Sequence, residues 1–236
     1  MTVQIHSTQG AGLAQGIKLL VYGGSGMGKT VLGASAPRPL FLSAEKGLLS
    51  LRRMNLPYID IDSLKTLRTA FDFCYSPKSA QFDTIILDSL SEVAEITLAE
   101  RKAVNKDPRK AYGEMSEIVT QIVKDFRDMP RKHVVLICKQ GTAVDGLTQA
   151  RYALPSFPGK QLEQDAPYWF DGVFQLTTFT DPQQPGVIVR ALRTQPDQYN
   201  QAKDRSGALD VWENADPATG GGLTAIFKKM LAAPVS

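Results

Sequence analysis

Short runs of Val, Ile, Leu and Phe alternate along this 236-residue chain with stretches whose apolar residues recur every three or four positions. That alternation is the pattern of parallel βαβ units. The runs at 17–22, 39–43, 58–61, 84–87, 133–139, 173–178 and 187–193 predict strands, and 29–36, 64–74, 90–104, 112–129 and 223–231 predict helices. In the fourth helix Met115, Ile118, Val119, Ile122, Val123 and Phe126 share one face, which should pack on a sheet. Prolines and glycines interrupt residues 141–169 without a clear period, so this stretch is expected to be a long loop, disordered or functional. No Pro/Gly/Ser-rich linker or internal repeat divides the chain, and its length suits one α/β domain spanning 1–236. Residues 1–16 carry no strong apolar anchor and read as a frayed terminus or a small inter-subunit arm.

The chemistry begins where the first strand ends. Gly23-Gly24-Ser25-Gly26-Met27-Gly28-Lys29-Thr30 fits G-x-x-x-x-G-K-[ST], with an apolar strand before it and Val31 continuing into a helix. Glycines allow positive φ and leave no Cβ in the way. Successive backbone N–H groups can then turn inward around phosphate oxygens, and the helix N-terminus adds a partial positive charge. Residues 23–31 are therefore expected to hold ATP, with Lys29 on the β- and γ-phosphates and the Thr30 hydroxyl on Mg²⁺. The competing reading is a glycine-rich turn before a structural helix.

A second signal is Phe82-Asp83-Thr84-Ile85-Ile86-Leu87-Asp88-Ser89, an apolar strand ending in an acid. Beside the phosphate loop in a parallel sheet, Asp88 would hold Mg²⁺ directly or through water; a helix cap is the plainer alternative. Ser89 stands where the large AAA+ group has its water-activating glutamate, so the base must come from elsewhere. Leu40-Phe41-Leu42-Ser43-Ala44-Glu45 is a short strand with a carboxylate just past its end. If it neighbours the Asp88 strand, Glu45 faces the γ-phosphate and polarises the attacking water; the alternative is that Glu45 caps a helix beginning near Lys46.

Composition narrows the field further. A formal charge of +3 and a pI near 8.8 do not mark the whole protein as a nucleic-acid binder, so any such surface must be local. Cys74 and Cys138 form no C-x-x-C, and His6 and His133 have no metal-ligand spacing, which argues against zinc and against a disulfide framework. No apolar run approaches a membrane span and the first residues lack a signal-peptide layout, so the cytoplasm is expected.

Together these residues resemble the RecA-like ATPases, which include RecA, the Rad-type recombinases, KaiC and the DnaB helicase core. The likeness rests on the phosphate loop, on Glu45, on Leu87-Asp88-Ser89, and on the strand from His133 to Lys139 followed by Gln140. It implies an α/β RecA-like P-loop NTPase core, a mostly parallel central sheet flanked by helices on both faces. By resemblance, Gln140 senses the γ-phosphate, and Lys203-Asp204-Arg205 is similar to a K-x-R finger inserted into a neighbour's site, which implies a homo-oligomeric ring or filament. The compact length and the Ala202-Lys203-Asp204-Arg205-Ser206-Gly207 segment look like the phage nucleotide-binding proteins of the Sak single-strand annealing group, AAA-type ATPases with a RecA-like core. Little room remains for the extra domains of the recombinases, so full strand exchange is not expected.

By position, the first DNA loop of such proteins falls on the basic stretch Arg101, Lys102, Lys106, Arg109 and Lys110, in which Asp107 is the only acid. The second follows the sensor strand and brings Arg151, Tyr152, Phe157 and Lys160. Basic groups would neutralise phosphates and rings would contact unstacked bases. A solvated charged loop with core aromatics is the alternative. Three functions stay open: an ATP-dependent, DNA-stimulated single-stranded-DNA binder acting in phage-type recombination or annealing, with a single-strand-binding protein as a further partner; a helicase- or packaging-type motor; and a nucleotide-gated assembly protein without DNA.

Overall fold

A computed structural model describes residues 15–181 and 184–232. Most of the stretch proposed as an N-terminal arm therefore lies outside the described residues. One ten-stranded sheet runs through the fold in the order β10-β8-β7-β1-β5-β4-β2-β3, with β6 on β5 and β9 on β7. The strands are β1 (Lys18–Gly23), β2 (Pro39–Ser43), β3 (Tyr58–Asp60), β4 (Thr84–Asp88), β5 (His133–Val144), β6 (Arg151–Ser156), β7 (Gly172–Thr180), β8 (Ile188–Arg193), β9 (Lys203–Asp204) and β10 (Trp212–Asn214). From β7 to β3 the path is parallel throughout, and β8, β6, β9 and β10 pair antiparallel.

Every residue of β1, β2 and β4 is buried, which is why these strands read as unbroken apolar runs. Their side chains alternate between two cores. Leu20, Tyr22, Leu42 and Leu87 face α2 (Leu64–Tyr75), α3 (Leu90–Val104) and α4 (Pro108–Arg127). Leu19, Val21, Phe41 and Ile86 face α1 (Lys29–Ala34) and α6 (Leu223–Ala232). Helices thus cover both faces of a mostly parallel sheet, as the sequence leads one to expect.

The helix termini have local causes. Ser63 and Thr66 form a reciprocal capping box at the start of α2. Asp107 accepts from Arg109 N and Pro108 occupies the first turn of α4, so this helix begins four residues before the apolar period. The basic stretch expected as a loop is consequently mostly helical: Arg101 and Lys102 close α3, and Arg109 and Lys110 open α4.

The largest correction concerns residues 141–169. Here β5 continues past Lys139 to Val144, turns at Asp145, and returns as β6, followed by a short helix α5 (Lys160–Asp165) and a 3-10 turn over Ala166–Trp169. Asp145 Oδ1 accepts from the backbone N–H groups of Leu147 and Thr148, the local bonding that closes the hairpin.

Candidate active site

The phosphate loop leaves β1 at Gly23 and enters α1 at Lys29. Gly26 (φ 76°) and Gly28 (φ 95°) take left-handed backbone, the conformation that glycine adopts without a Cβ penalty. Lys29 reaches back over the loop, and its Nζ donates to the carbonyls of Gly23 and Gly24 at 2.9 Å each. Burial lowers its pKa, against the opposing pull of Glu45 and Asp88. Met27 lies against β7, where its Sδ accepts from Thr178 Oγ1 at 3.5 Å.

Asp88 does not stand beside β1, because β5 comes between the two strands. Its side chain still meets the loop: Thr30 Oγ1 donates to Asp88 Oδ2 at 2.6 Å. The two expected Mg²⁺ ligands are thus brought together. Burial pushes the Asp88 carboxyl above its ordinary range, which is the signature of a desolvated carboxylate lacking a full counter-charge. Ser43 sits opposite Asp88 in the β2–β4 register and is buried, and its Oγ has no hydrogen-bond partner among the described residues. A desolvated carboxylate, a neighbouring hydroxyl and an orphaned hydroxyl suit a hydrated Mg²⁺, which keeps most of its waters and takes few protein ligands.

The strand β2 pairs directly with β4, so Glu45 follows it to the same edge. The backbone N–H groups of Ala44 and Glu45 both donate to Asp88 O. The buried hydroxyl of Ser89 donates to Glu45 Oε1 at 2.5 Å and accepts from Glu92 N as the cap of α3. Ser89 is a residue that the sequence reading passed over. A serine directly after the acid was noted only for the glutamate it replaces, and nothing local shows that its hydroxyl reaches a residue 44 positions away.

Across the end of β1, Gln140 Oε1 accepts from Gln175 Nε2 at 3.2 Å. Lys139 Nζ pairs with Glu92 at 3.2 Å, and Tyr22 at the base of the loop donates to Gln201 O at 2.6 Å. Tyr22 also donates to Ala153 O of β6 at 3.2 Å, so the β5–β6 hairpin is bonded to α3, to β7 and to the strand that feeds the loop.

Lys203 and Arg205 occupy a different place. Lys203 Nζ donates to the carbonyls of Phe170 at 2.7 Å and Pro167 at 3.0 Å, and Arg205 donates to Tyr168 O at 2.9 Å and lies 3.6 Å from Asp171. Both cations cap the carbonyl end of the 3-10 turn in their own chain. A role at a neighbour's site would require giving up these bonds.

The DNA candidates collect at one edge. The helix α4 ends at the amino edge of the sheet, beside β1, where Lys18 Nζ donates to Met129 O, so the α3–α4 turn lies beyond the carboxyl edge that carries the nucleotide site. Lys106, Arg109 and Lys110 are exposed there. Acids from adjacent turns reduce the apparent charge: Glu114 lies 3.8 Å from Lys110 and 4.0 Å from Arg101. Arg151 is exposed and Tyr152 half-buried on β6, and exposed Lys160 follows Gly159, which packs near Met115 of α4. Phe157 is a correction, because it is buried in the core and offers no ring to a base.

Among the described residues no helix is long and apolar enough to cross a membrane. Cys74 and Cys138 are free and buried, and among the described residues no group of three or more His, Cys, Asp or Glu is placed to hold a metal ion.

Comparison with known proteins gives three results. Residues 15–206 match the family model described as an AAA domain. No curated protein sequence matches the chain. Similar solved structures include the flagellar accessory protein FlaH from Methanocaldococcus jannaschii, at 13% identity and TM-score 0.42 over 78% of this chain and 80% of that one. The RadB recombinase is similar at 14% identity and TM-score 0.43, over 81% and 92%. An ATPase from the type III secretion system of pathogenic bacteria is similar at 16% identity and TM-score 0.48, over 72% of this chain and 55% of that one.

Proposed function

Since the chain belongs to the AAA domain family and is a nucleotide-binding ATPase, we propose that it couples ATP hydrolysis to binding of single-stranded DNA, in recombination or annealing of the phage type. The observation that carries the ATPase chemistry is the convergence of three separate chain segments at the loop. Thr30 meets Asp88, and Ser89 holds Glu45 beside them. With Ser89 occupying Oε1, Oε2 of Glu45 is left to orient a water and accept its proton as the oxygen attacks the γ-phosphorus and the bond to the β–γ bridging oxygen breaks. Lys29 releases the Gly23 and Gly24 carbonyls for phosphate oxygens and offsets their charge. Mg²⁺, held by Thr30 and Asp88, supplies Lewis-acid stabilisation of the phosphates when bound.

The DNA reading is supported by exposed Lys106, Arg109, Arg151 and Lys160, which have no ion-pair partner among the described residues and lie toward the carboxyl edge of the sheet. Hairpin β5–β6 is bonded to β1 through Tyr22 and Ala153, to β7 through Gln140 and to α3 through Lys139. The test is anisotropy of a labelled oligo-dT across a salt titration, with phosphate release measured in its presence and absence. Salt-sensitive binding with faster hydrolysis is expected. Duplex unwinding would favour the motor, and lack of salt-sensitive binding would leave a nucleotide-gated assembly protein.

A further inference from the structure

The flank of the phosphate loop opposite Glu45 carries an arginine with no assigned role. Arg190 lies on β8, paired with Thr178 of β7, whose hydroxyl contacts Met27 in the loop. A Cβ built on Gly28 would stand 3.2 Å from Arg190 Nε and 3.6 Å from its Cδ, so the arginine stem crosses directly over the residue before Lys29. The side chain is exposed, and it has no carboxylate, carbonyl or ring partner among the described residues. Other arginines in this half of the sheet are engaged: Arg193 pairs with Asp197 at 2.8 Å and stacks on Trp212, and Arg205 caps the 3-10 turn.

The sheet order fixes which end of a nucleotide Arg190 would meet. Thr30, Asp88 and Glu45 mark the metal and water end, and the strands β4 and β2 lie two and three positions from β1 on one side. Strand β8 lies two positions away on the other side. The γ-phosphate faces the first flank, so the second receives the α- and β-phosphates. A guanidinium fork there matches two phosphate oxygens, and its cost of ordering is low because the stem already rests on Gly28.

We infer that Arg190 is a nucleotide-binding residue that clamps the α- and β-phosphates from within the same chain. It binds di- and triphosphates alike and sets affinity rather than turnover. The inference rests on the ATPase reading and deepens it.

The test compares wild type, Arg190→Ala, Arg190→Lys and Lys29→Ala for equilibrium binding of ADP, ATP and tripolyphosphate, with kcat and KM for hydrolysis. Loss of one charge-assisted contact predicts that Arg190→Ala binds all three ligands roughly tenfold more weakly. Its kcat should stay within about twofold and Arg190→Lys should recover part of the affinity. An exposed strand position makes misfolding a small risk, and an unchanged melting temperature without nucleotide checks it. ADP affinity equal to wild type overturns the inference. So does weaker ADP binding with unchanged tripolyphosphate binding, which would put Arg190 on the nucleoside. If wild type binds no nucleotide and Lys29→Ala is no different, the ATPase reading fails with it; if wild type binds and only Lys29→Ala is impaired, Arg190 alone is wrong.

Discussion

The two sides of β1 are built on different principles. Toward β3 the strands are parallel; β4 and β2 among them are buried on both faces, and each ends by delivering one reactive group, Asp88 from β4 and Glu45 from β2. Beyond β7 toward β10, and along the β5 extension, strands pair antiparallel and are partly exposed, and Lys203 of β9 is bonded through its side chain to carbonyls. The parallel side sets positions to within a hydrogen bond because its strands cannot slide without turning apolar residues out of two cores. The antiparallel side tolerates adjustment. The groups of the proposed hydrolysis, Asp88 and Glu45, lie on the first side.

The sharpest way to break this division is to remove its chemical groups. Lys29→Ala should weaken ATP binding and abolish phosphate release, whereas Glu45→Gln should keep affinity and lose roughly 100-fold or more in kcat, the range of a general base. Separate binding and turnover assays check this, and wild-type turnover in Glu45→Gln would remove it as the base. Next in size, Ser89→Ala should lower kcat about tenfold with little change in KM, because Glu45 loses the bond that orients it. An unchanged kcat would reduce Ser89 to a helix cap.

For the proposed DNA contact, reversing Arg109 and Lys110 to Glu should weaken oligo-dT binding and flatten its salt slope while ATP affinity stays near wild type. An identical salt titration would return the α3–α4 turn to a solvated face.

The smallest expected effects are on stability, and they should have opposite signs on the two sides. Asp88 has a raised folded-state pKa, so between the ordinary carboxylate range and that raised value the folded protein binds more protons than the unfolded one. Stability without nucleotide should therefore fall as pH rises through this window. Asp88→Asn should remove the slope and raise the melting temperature by roughly 2–4 °C while hydrolysis is lost. The double change Lys203→Ala/Arg205→Ala should instead lower it by a similar amount, since carbonyls of Tyr168 and Phe170 lose donors. Thermal melts at several pH values test both. Recovery of ATPase on mixing this double variant with Glu45→Gln would restore the case for a finger in trans.

The same division explains what could be read from sequence. Strands β1, β2 and β4 are visible as apolar runs because both their faces are buried, and the phosphate loop because glycine chemistry is local. The β5–β6 hairpin is hidden because Lys139, Gln140, Thr142 and Val144 are all exposed and Gly141 and Ala143 between them only half-buried, so no alternation of hydrophobicity marks the strand. Strands β9 and β10 are two and three residues long, too short for any period. Ser89, Ser43 and Arg190 were out of reach for another reason. Each acquires its meaning from a residue more than 40 positions away, and only the sheet order supplies that neighbour.

The state of the two thiols gives the molecule an experimental convenience. Cys74 and Cys138 are shut inside the core, and burial pushes the Cys74 thiol up to about 12 and Cys138 higher still. Maleimide reacts with thiolate, so near neutral pH both should stay unlabelled in the folded protein. A cysteine placed at exposed Val144 on the hairpin and another at exposed Val104 beside the α3–α4 turn would then take dyes in an otherwise wild-type background. The distance between them could be followed by energy transfer while nucleotide and DNA are added, without first removing a native cysteine.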